Sequence, residues 1–126
     1  TADIFVRAEL TKIDLSNNQL GAAGAAALAP GIAASAELTT LNLASNQLCG
    51  VSTGGFGTYT AEGIKAIAQA LSVNAELTTL NLADNELCGL DYFGMGFYTA
   101  EGITAIAGAL RVNASLTTLN LASNQL

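Results

Sequence analysis

Histidine is absent from the 126-residue sequence, and basic residues and cysteines are scarce. Histidine is the commonest general base and metal ligand, so its absence removes the usual starting point for catalysis or metal binding. Four basic residues stand against ten acidic ones, which leaves a net charge of −6 and no basic stripe to neutralise phosphates. Two cysteines are too few for a disulfide scaffold. We therefore expect no nucleic-acid partner, no metal and no cofactor.

Long hydrophobic runs are also missing, although 51% of the residues are hydrophobic. No stretch provides the roughly 20 consecutive apolar residues that a membrane-spanning helix needs. The longest uncharged segment, 15–36, is interrupted by Asn17, Asn18, Gln19 and Pro30. We expect no membrane span, while peripheral contact with a membrane stays open. The chain starts at Thr1 without a signal peptide, so we expect a processed product or a fragment; the compartment is unknown, with an intracellular one favoured.

One 12-residue pattern occurs four times, and it organises the rest of the chain. The copies at 9–20, 37–48, 76–87 and 115–126 read ELTKIDLSNNQL, ELTTLNLASNQL, ELTTLNLADNEL and SLTTLNLASNQL. Leu41 and Leu43 alternate with small polar residues, which predicts a short strand with one apolar side. An asparagine recurs where each copy must turn, and its amide can satisfy backbone groups that the strands leave unpaired. We expect a stacked ladder formed by Asn18, Asn46, Asn85 and Asn124.

Every copy contains L-x-x-[LI]-x-L-x-x-N-x-L, which is the leucine-rich-repeat signature. The first repeat is 28 residues long, and with Gly24, Ala25, Ala27 and Leu28 after its signature it resembles the ribonuclease-inhibitor-like class. The resemblance covers essentially the whole chain. It implies an α/β fold, a right-handed solenoid with a curved parallel β-sheet on the concave side and α-helices on the convex side. It also implies protein binding, because most members of that class bind proteins and few are catalysts.

The repeats divide the chain into a single solenoid segment. Residues 1–9 align with the end of a preceding repeat, 10–37, 38–76 and 77–115 form three repeats, and 116–126 begin a fourth. Neither end carries the polar cap that a terminal repeat needs. We expect the segment to belong to a longer array or a larger assembly.

Helices are predicted between the signatures. Segment 61–71 has apolar residues at helical spacing, and 100–110 repeats the pattern. Asn74 and Asn113 follow these helices, which predicts helix ends in the left-handed conformation. The first helix, 24–33, has no charge; either alanine is tolerated on its surface or this helix contacts a protein or lipid neighbour.

The strand residues that face the concave side form nearly uniform ladders. One ladder is Lys12, Thr40, Thr79 and Thr118, and the next is Asp14, Asn42, Asn81 and Asn120. A selective site needs groups that differ, so we expect a solvated face. Any contacts there would be weak and polar, at Lys12, Asp14 or Asp84.

Two repeats carry 11 extra residues each, and these insertions differ from the rest of the chain. Insertion 49–59 reads CGVSTGGFGTY and insertion 88–98 reads CGLDYFGMGFY, so together they hold six of the seven aromatic residues and the only Met. Stacking should bring them side by side, and aromatic loops on a rigid scaffold are typical of binding surfaces. Alternatively, they pack together as a small core. The candidate partner-binding residues are Phe56, Tyr59, Tyr92, Phe93, Met95, Phe97 and Tyr98.

The two cysteines, Cys49 and Cys88, occupy equivalent positions in adjacent repeats. Their spacing is compatible with a disulfide, but a ladder of buried thiols is favoured. A metal site would need further ligands. The glycine-rich segment 54–57 lacks the lysine and the strand–helix context of a phosphate-binding loop, so we expect no enzymatic activity.

The function that these features favour is a non-catalytic protein–protein interaction scaffold that forms a subunit or segment of a larger, multi-subunit complex. One alternative is small-molecule or cofactor binding, with Tyr59, Tyr92, Phe93 and Tyr98 stacking on a flat ligand. A second alternative is a purely structural spacer, whose insertions would tolerate substitution.

Overall fold

The computed structural model alternates short parallel strands with helices, and it describes residues 11–52, 54, 56–90 and 95–126. Residues 1–9, which we assigned to a preceding repeat, lie outside the described residues. In chain order the elements are β1 (Lys12–Asp14), α1 (Gly21–Ala34), β2 (Thr40–Asn42), α2 (Glu62–Val73), β3 (Thr79–Asn81), α3 (Glu101–Val112) and β4 (Thr118–Asn120).

The strands form one parallel sheet in sequence order, and equivalent residues of successive repeats are paired. The central residues of the four strands, Ile13, Leu41, Leu80 and Leu119, lie in one row. The 28-residue repeat and the two 39-residue repeats therefore share one register, and the extra residues lie outside the sheet. The predicted α/β solenoid is confirmed.

The core lies between the sheet and the helices and runs along the stack. Its largest fully buried side chains are Ile32, Leu38, Leu41, Leu43, Leu48, Ile64, Ile67, Leu71, Leu77, Leu80 and Leu82. Burial depends on having a neighbouring repeat on both sides. Leu71 is 1% exposed, whereas Leu110, its equivalent in the next helix, is 41% exposed. Each buried leucine contributes about 1.5–3 kcal/mol relative to an exposed one, so stacking supplies most of the stability.

The predicted asparagine ladder is confirmed, and its geometry explains why asparagine recurs. The Nδ2 atom of Asn46 donates to the carbonyl of Leu15 at 2.9 Å and to that of Leu43 at 3.1 Å. Its Oδ1 atom accepts from the backbone N–H of Asn18 at 2.9 Å. The residues on both sides of each ladder asparagine adopt positive φ, as Ser45 (56°) and Gln47 (55°) show. The amide side chain thus satisfies backbone groups that such a turn leaves without partners.

The prediction that Asn74 and Asn113 end their helices in the left-handed conformation is wrong. Both are extended, with φ of −76° and −79°. Asn74 instead reaches across to the preceding repeat, where its Nδ2 atom donates to the carbonyl of Ile32 at 2.8 Å. Its Oδ1 atom accepts from the backbone N–H of Leu77 at 2.7 Å. The extended backbone of Asn74 and Asn113 places each side-chain amide between two repeats. These two residues therefore form a second asparagine ladder.

Candidate functional site

Each insertion leaves the stack and returns to nearly the same point. In the first insertion, the N–H of Thr60 donates to the carbonyl of Cys49 and the N–H of Ser52 donates to that of Phe56, both at 2.9 Å. In the second, the N–H of Thr99 donates to the carbonyl of Cys88 at 2.9 Å. Leu90 and Gly96 form an antiparallel bridge there. The insertions are therefore closed turns whose bases are fixed by backbone hydrogen bonds.

Glycine is required where the two sides of each turn approach one another. Gly50 and Gly89 have φ of +83° and +81°. A Cβ atom on Gly50 would lie 2.5 Å from the carbonyl oxygen of Thr58. The equivalent atom on Gly89 would lie 2.6 Å from the carbonyl oxygen of Phe97. Both positions need a left-handed backbone without a side chain, which only glycine adopts at low cost.

The predicted partner-binding residues fall into two groups. Phe97 is 94% exposed, Phe56 is 80% exposed, and Met95 and Tyr98 are also largely exposed. Tyr59 instead packs against the core, and its hydroxyl donates to the backbone carbonyl of Leu87 at 2.8 Å. Two further candidates, Tyr92 and Phe93, lie outside the described residues.

A cleft of about 400 Å³ separates the two insertions. The first insertion supplies one wall of the cleft, which includes Val51 and Tyr59, and the second supplies the other, which includes Met95 and Phe97. Gly57 of the first insertion and Gly89 and Gly96 of the second also line the cleft. Phe56 and Tyr98 are exposed but do not line this cleft.

Both cysteines are free thiols that are fully buried beneath the insertions. Burial raises the pKa of Cys49 to about 12, although the neighbouring Tyr59 hydroxyl works in the opposite direction. Burial also raises the pKa of the Tyr59 hydroxyl, and the neighbouring Cys49 adds to that rise. At neutral pH the Cys49 thiol is protonated and hence a poor nucleophile. The favoured ladder of buried thiols is confirmed.

A polar pocket of about 230 Å³ adjoins the cleft, because Val51 lines both. Asp84 and Glu86 line this pocket together with Ser45 and Gln47 of the preceding repeat. The Ser45 hydroxyl donates to the Asp84 carboxylate at 3.1 Å. Sequence reasoning noted Asp84 but not the pocket. The available signal was that two acids replace the uncharged residues of the other signatures, which have serine or asparagine at the position of Asp84 and glutamine at that of Glu86.

The described residues include no group of three or more Cys, Asp or Glu side chains arranged to hold a metal ion. Within the same residues, no helix has the length and apolar character to cross a membrane.

Comparison with known proteins places these features in a family. One model of the leucine-rich repeat matches residues 10–29 and 112–126, and a second matches 37–58. No curated protein sequence matches the chain. The solved structure of "Leiomodin-1 Actin-Binding Site 2 (ABS2)" is similar, with a TM-score of 0.63 and 25% sequence identity. The match covers 96% of this chain but only 63% of that one.

The family models, the solved structure and the stack of parallel strands agree. Leucine-rich-repeat domains generally mediate protein–protein interaction and are typically non-catalytic. The chain is a leucine-rich-repeat protein.

Proposed function

We propose that the chain is a non-catalytic protein-interaction scaffold whose partner site lies on the paired insertions. The observation that supports this most directly is the exposure of Phe56 and Phe97, at 80% and 94%, on two closed turns. Large apolar side chains grouped at a surface commonly mark binding sites. The hydrogen bonds at the base of each turn reduce the entropy that binding would cost, because the backbone is already ordered.

A place in a larger complex, as one of its subunits or segments, is part of this proposal. The division into repeats at 10–37, 38–76, 77–115 and 116–126 belongs to this proposal. Membership of the ribonuclease-inhibitor-like class stays a prediction from the sequence.

Actin is a defined partner to test first. The leiomodin domain that shares this fold is named for an actin-binding site. Co-sedimentation with actin filaments and retention of monomeric actin on the immobilised chain would detect binding to either form. The loop proposal does not depend on actin, because it states which surface binds and leaves the partner to be identified.

The experiment compares partner capture by wild-type protein, by the double variant Phe56→Ser/Phe97→Ser, and by a variant that lacks 49–59 and 88–98. We expect a specific partner to be lost from both variants, while circular dichroism shows that they remain folded. The sheet-face variant Lys12→Ser serves as a control and should retain the partner. Retention by both loop variants, or loss caused only by the change at Lys12, would contradict the proposed location of the site.

A further inference from the structure

We infer that the insertion cleft takes a peptide segment in which a large apolar side chain lies next to a lysine or arginine. This inference rests on the proposed function, because it names the chemistry of the partner at the same site. It follows from the way the apolar cleft and the acidic pocket adjoin at Val51.

The cleft supplies the apolar half of this recognition. Its volume of about 400 Å³ falls within the range of roughly 300–1,000 Å³ that is usual for ligand pockets. Met95 and Phe97 are 67% and 94% exposed beside it, so an apolar side chain from a partner would remove both from water.

The adjoining pocket supplies the acidic half. Asp84 occupies the position at which the preceding repeat has Ser45, and its half-buried carboxylate introduces negative charge at this repeat alone. Glu86, which replaces Gln47, is 2% exposed, so the accessible charge of the pocket is that of Asp84. The described residues that line the two cavities include neither lysine nor arginine. This charge would attract a cationic side chain.

The distribution of charge along the chain strengthens this assignment. The sequence has no basic residue between Lys12 and Lys65 and none between Lys65 and Arg111, so both insertions lack one. Lys65 itself lies 3.9 Å from Glu101 on the helical side of the stack. The net charge of −6 also favours a cationic partner. A second copy of the chain would bring like charges together at this edge, which disfavours self-association through the cleft.

The test is selection from a display library of random linear peptides on the immobilised wild-type chain at low salt. We expect the enriched peptides to place lysine or arginine close to a large apolar residue. A synthetic peptide with the enriched sequence should lose about tenfold or more in affinity for Phe97→Ser and for Asp84→Ser, measured by fluorescence anisotropy. Asp84→Ser is a matched change, because the preceding repeat has Ser45 at that position. Asp14→Asn removes one charge from the sheet face and should leave the affinity unchanged.

Salt and a change in the peptide separate the two halves of recognition. Added salt should weaken binding to wild type more than binding to Asp84→Ser, because screening acts on the charge pair. Replacing the peptide's arginine or lysine with glutamine should weaken binding to wild type, which tests the inference even if Phe97→Ser fails to fold.

Three results would overturn the inference. The first is enrichment of apolar peptides that contain no lysine or arginine and whose binding is lost with Phe97→Ser but not with Asp84→Ser. That result would leave the proposed partner site on the insertions intact. The second is the absence of any peptide enriched above that on uncoated support. The third is self-association in light scattering that Phe97→Ser abolishes, since a second copy would then occupy the cleft.

Discussion

Replacement of Asn85 with alanine tests the asparagine ladder at a fully buried position. The Oδ1 atom of Asn85 accepts from the backbone N–H groups of Asn46 at 3.0 Å and Leu48 at 3.3 Å. Its Nδ2 atom donates to the carbonyls of Leu43 and Leu82, both at 3.0 Å. The side chain therefore joins two repeats, and alanine removes all these bonds without changing the backbone conformation that they support.

The two N–H donors determine the size of the effect. The carbonyl of Leu43 keeps a hydrogen bond from Asn46 at 3.1 Å, and that of Leu82 keeps one from Asn124 at 2.9 Å. Within the part of the chain that the structure describes, the N–H groups of Asn46 and Leu48 have no second acceptor. Each buried donor left unsatisfied costs about 1–3 kcal/mol, so with two such donors we expect Asn85→Ala to lower the free energy of unfolding by about 2–6 kcal/mol.

Urea denaturation followed by circular dichroism measures this loss, with Asn18→Ala as the matched control. Asn18 is exposed, and its side chain donates to the carbonyls of Leu15 and Ser16 within its own turn. We expect it to cost less than about 1.5 kcal/mol, because water can replace these bonds. Equal losses for Asn85→Ala and Asn18→Ala would refute the argument that the ladder acts by satisfying buried donors.

Three further predictions follow from single contacts. Gly63→Ala should lower the free energy of unfolding by about 1–3 kcal/mol, because its Cβ atom would lie 2.6 Å from the carbonyl oxygen of Ala22. Gly108→Ala, where nothing lies within 4 Å, should raise it by about 0.5–1 kcal/mol, and equal urea midpoints for the pair would contradict this reasoning. The pKa of the Cys49 thiol is about 12 in the folded chain and 9.0 in the unfolded chain. The free energy of unfolding should therefore fall as pH rises between these values, by up to about 1.4 kcal/mol per pH unit. If Cys49→Ala loses stability as steeply as wild type over the same pH series, Cys49 is not the cause. Tyr59→Phe should lower the free energy of unfolding by about 0.5–1.5 kcal/mol through loss of its hydrogen bond to the next repeat, and an unchanged urea midpoint would argue against that bond.

The repeating elements could be predicted because their neighbours are copies of themselves. Leu41 alternates with polar residues on its own strand, and Leu80 stacks on it from an identical environment, so the sequence pattern already describes the packing. The same reasoning predicted the ladder of Asn46 and its equivalents. Asn74 shows the limit of local propensity. Its side-chain amide donates hydrogen bonds to residues about 40 positions earlier in the chain. The residue preferences at helix ends contain no information about such long-range contacts.

The orientation of the insertion side chains could not be predicted, because equivalent residues meet different surroundings. Tyr59 and Tyr98 occupy the same position in successive insertions. Tyr59 packs against the core and its hydroxyl donates a hydrogen bond to the Leu87 carbonyl of the following repeat, whereas Tyr98 is 60% exposed. Composition indicated that aromatic residues concentrate in the insertions. Which of them are exposed depends on what stacks beside each one, and that is a property of the assembled solenoid.

Because the insertions are closed turns outside the sheet, we expect different residues to determine partner binding and folding. The 28-residue and 39-residue repeats share one strand register, so 11 additional residues have left the sheet pairing unchanged. At the base of the insertions, Gly50 and Gly89 adopt a positive φ in a space that has no room for a Cβ atom. Phe97, at 94% exposure, contributes little to the core. Substitution at Phe97 should therefore change partner affinity with little effect on stability, whereas substitution at Gly89 should disturb the turn itself, and comparison of the two distinguishes a binding surface from a structural spacer.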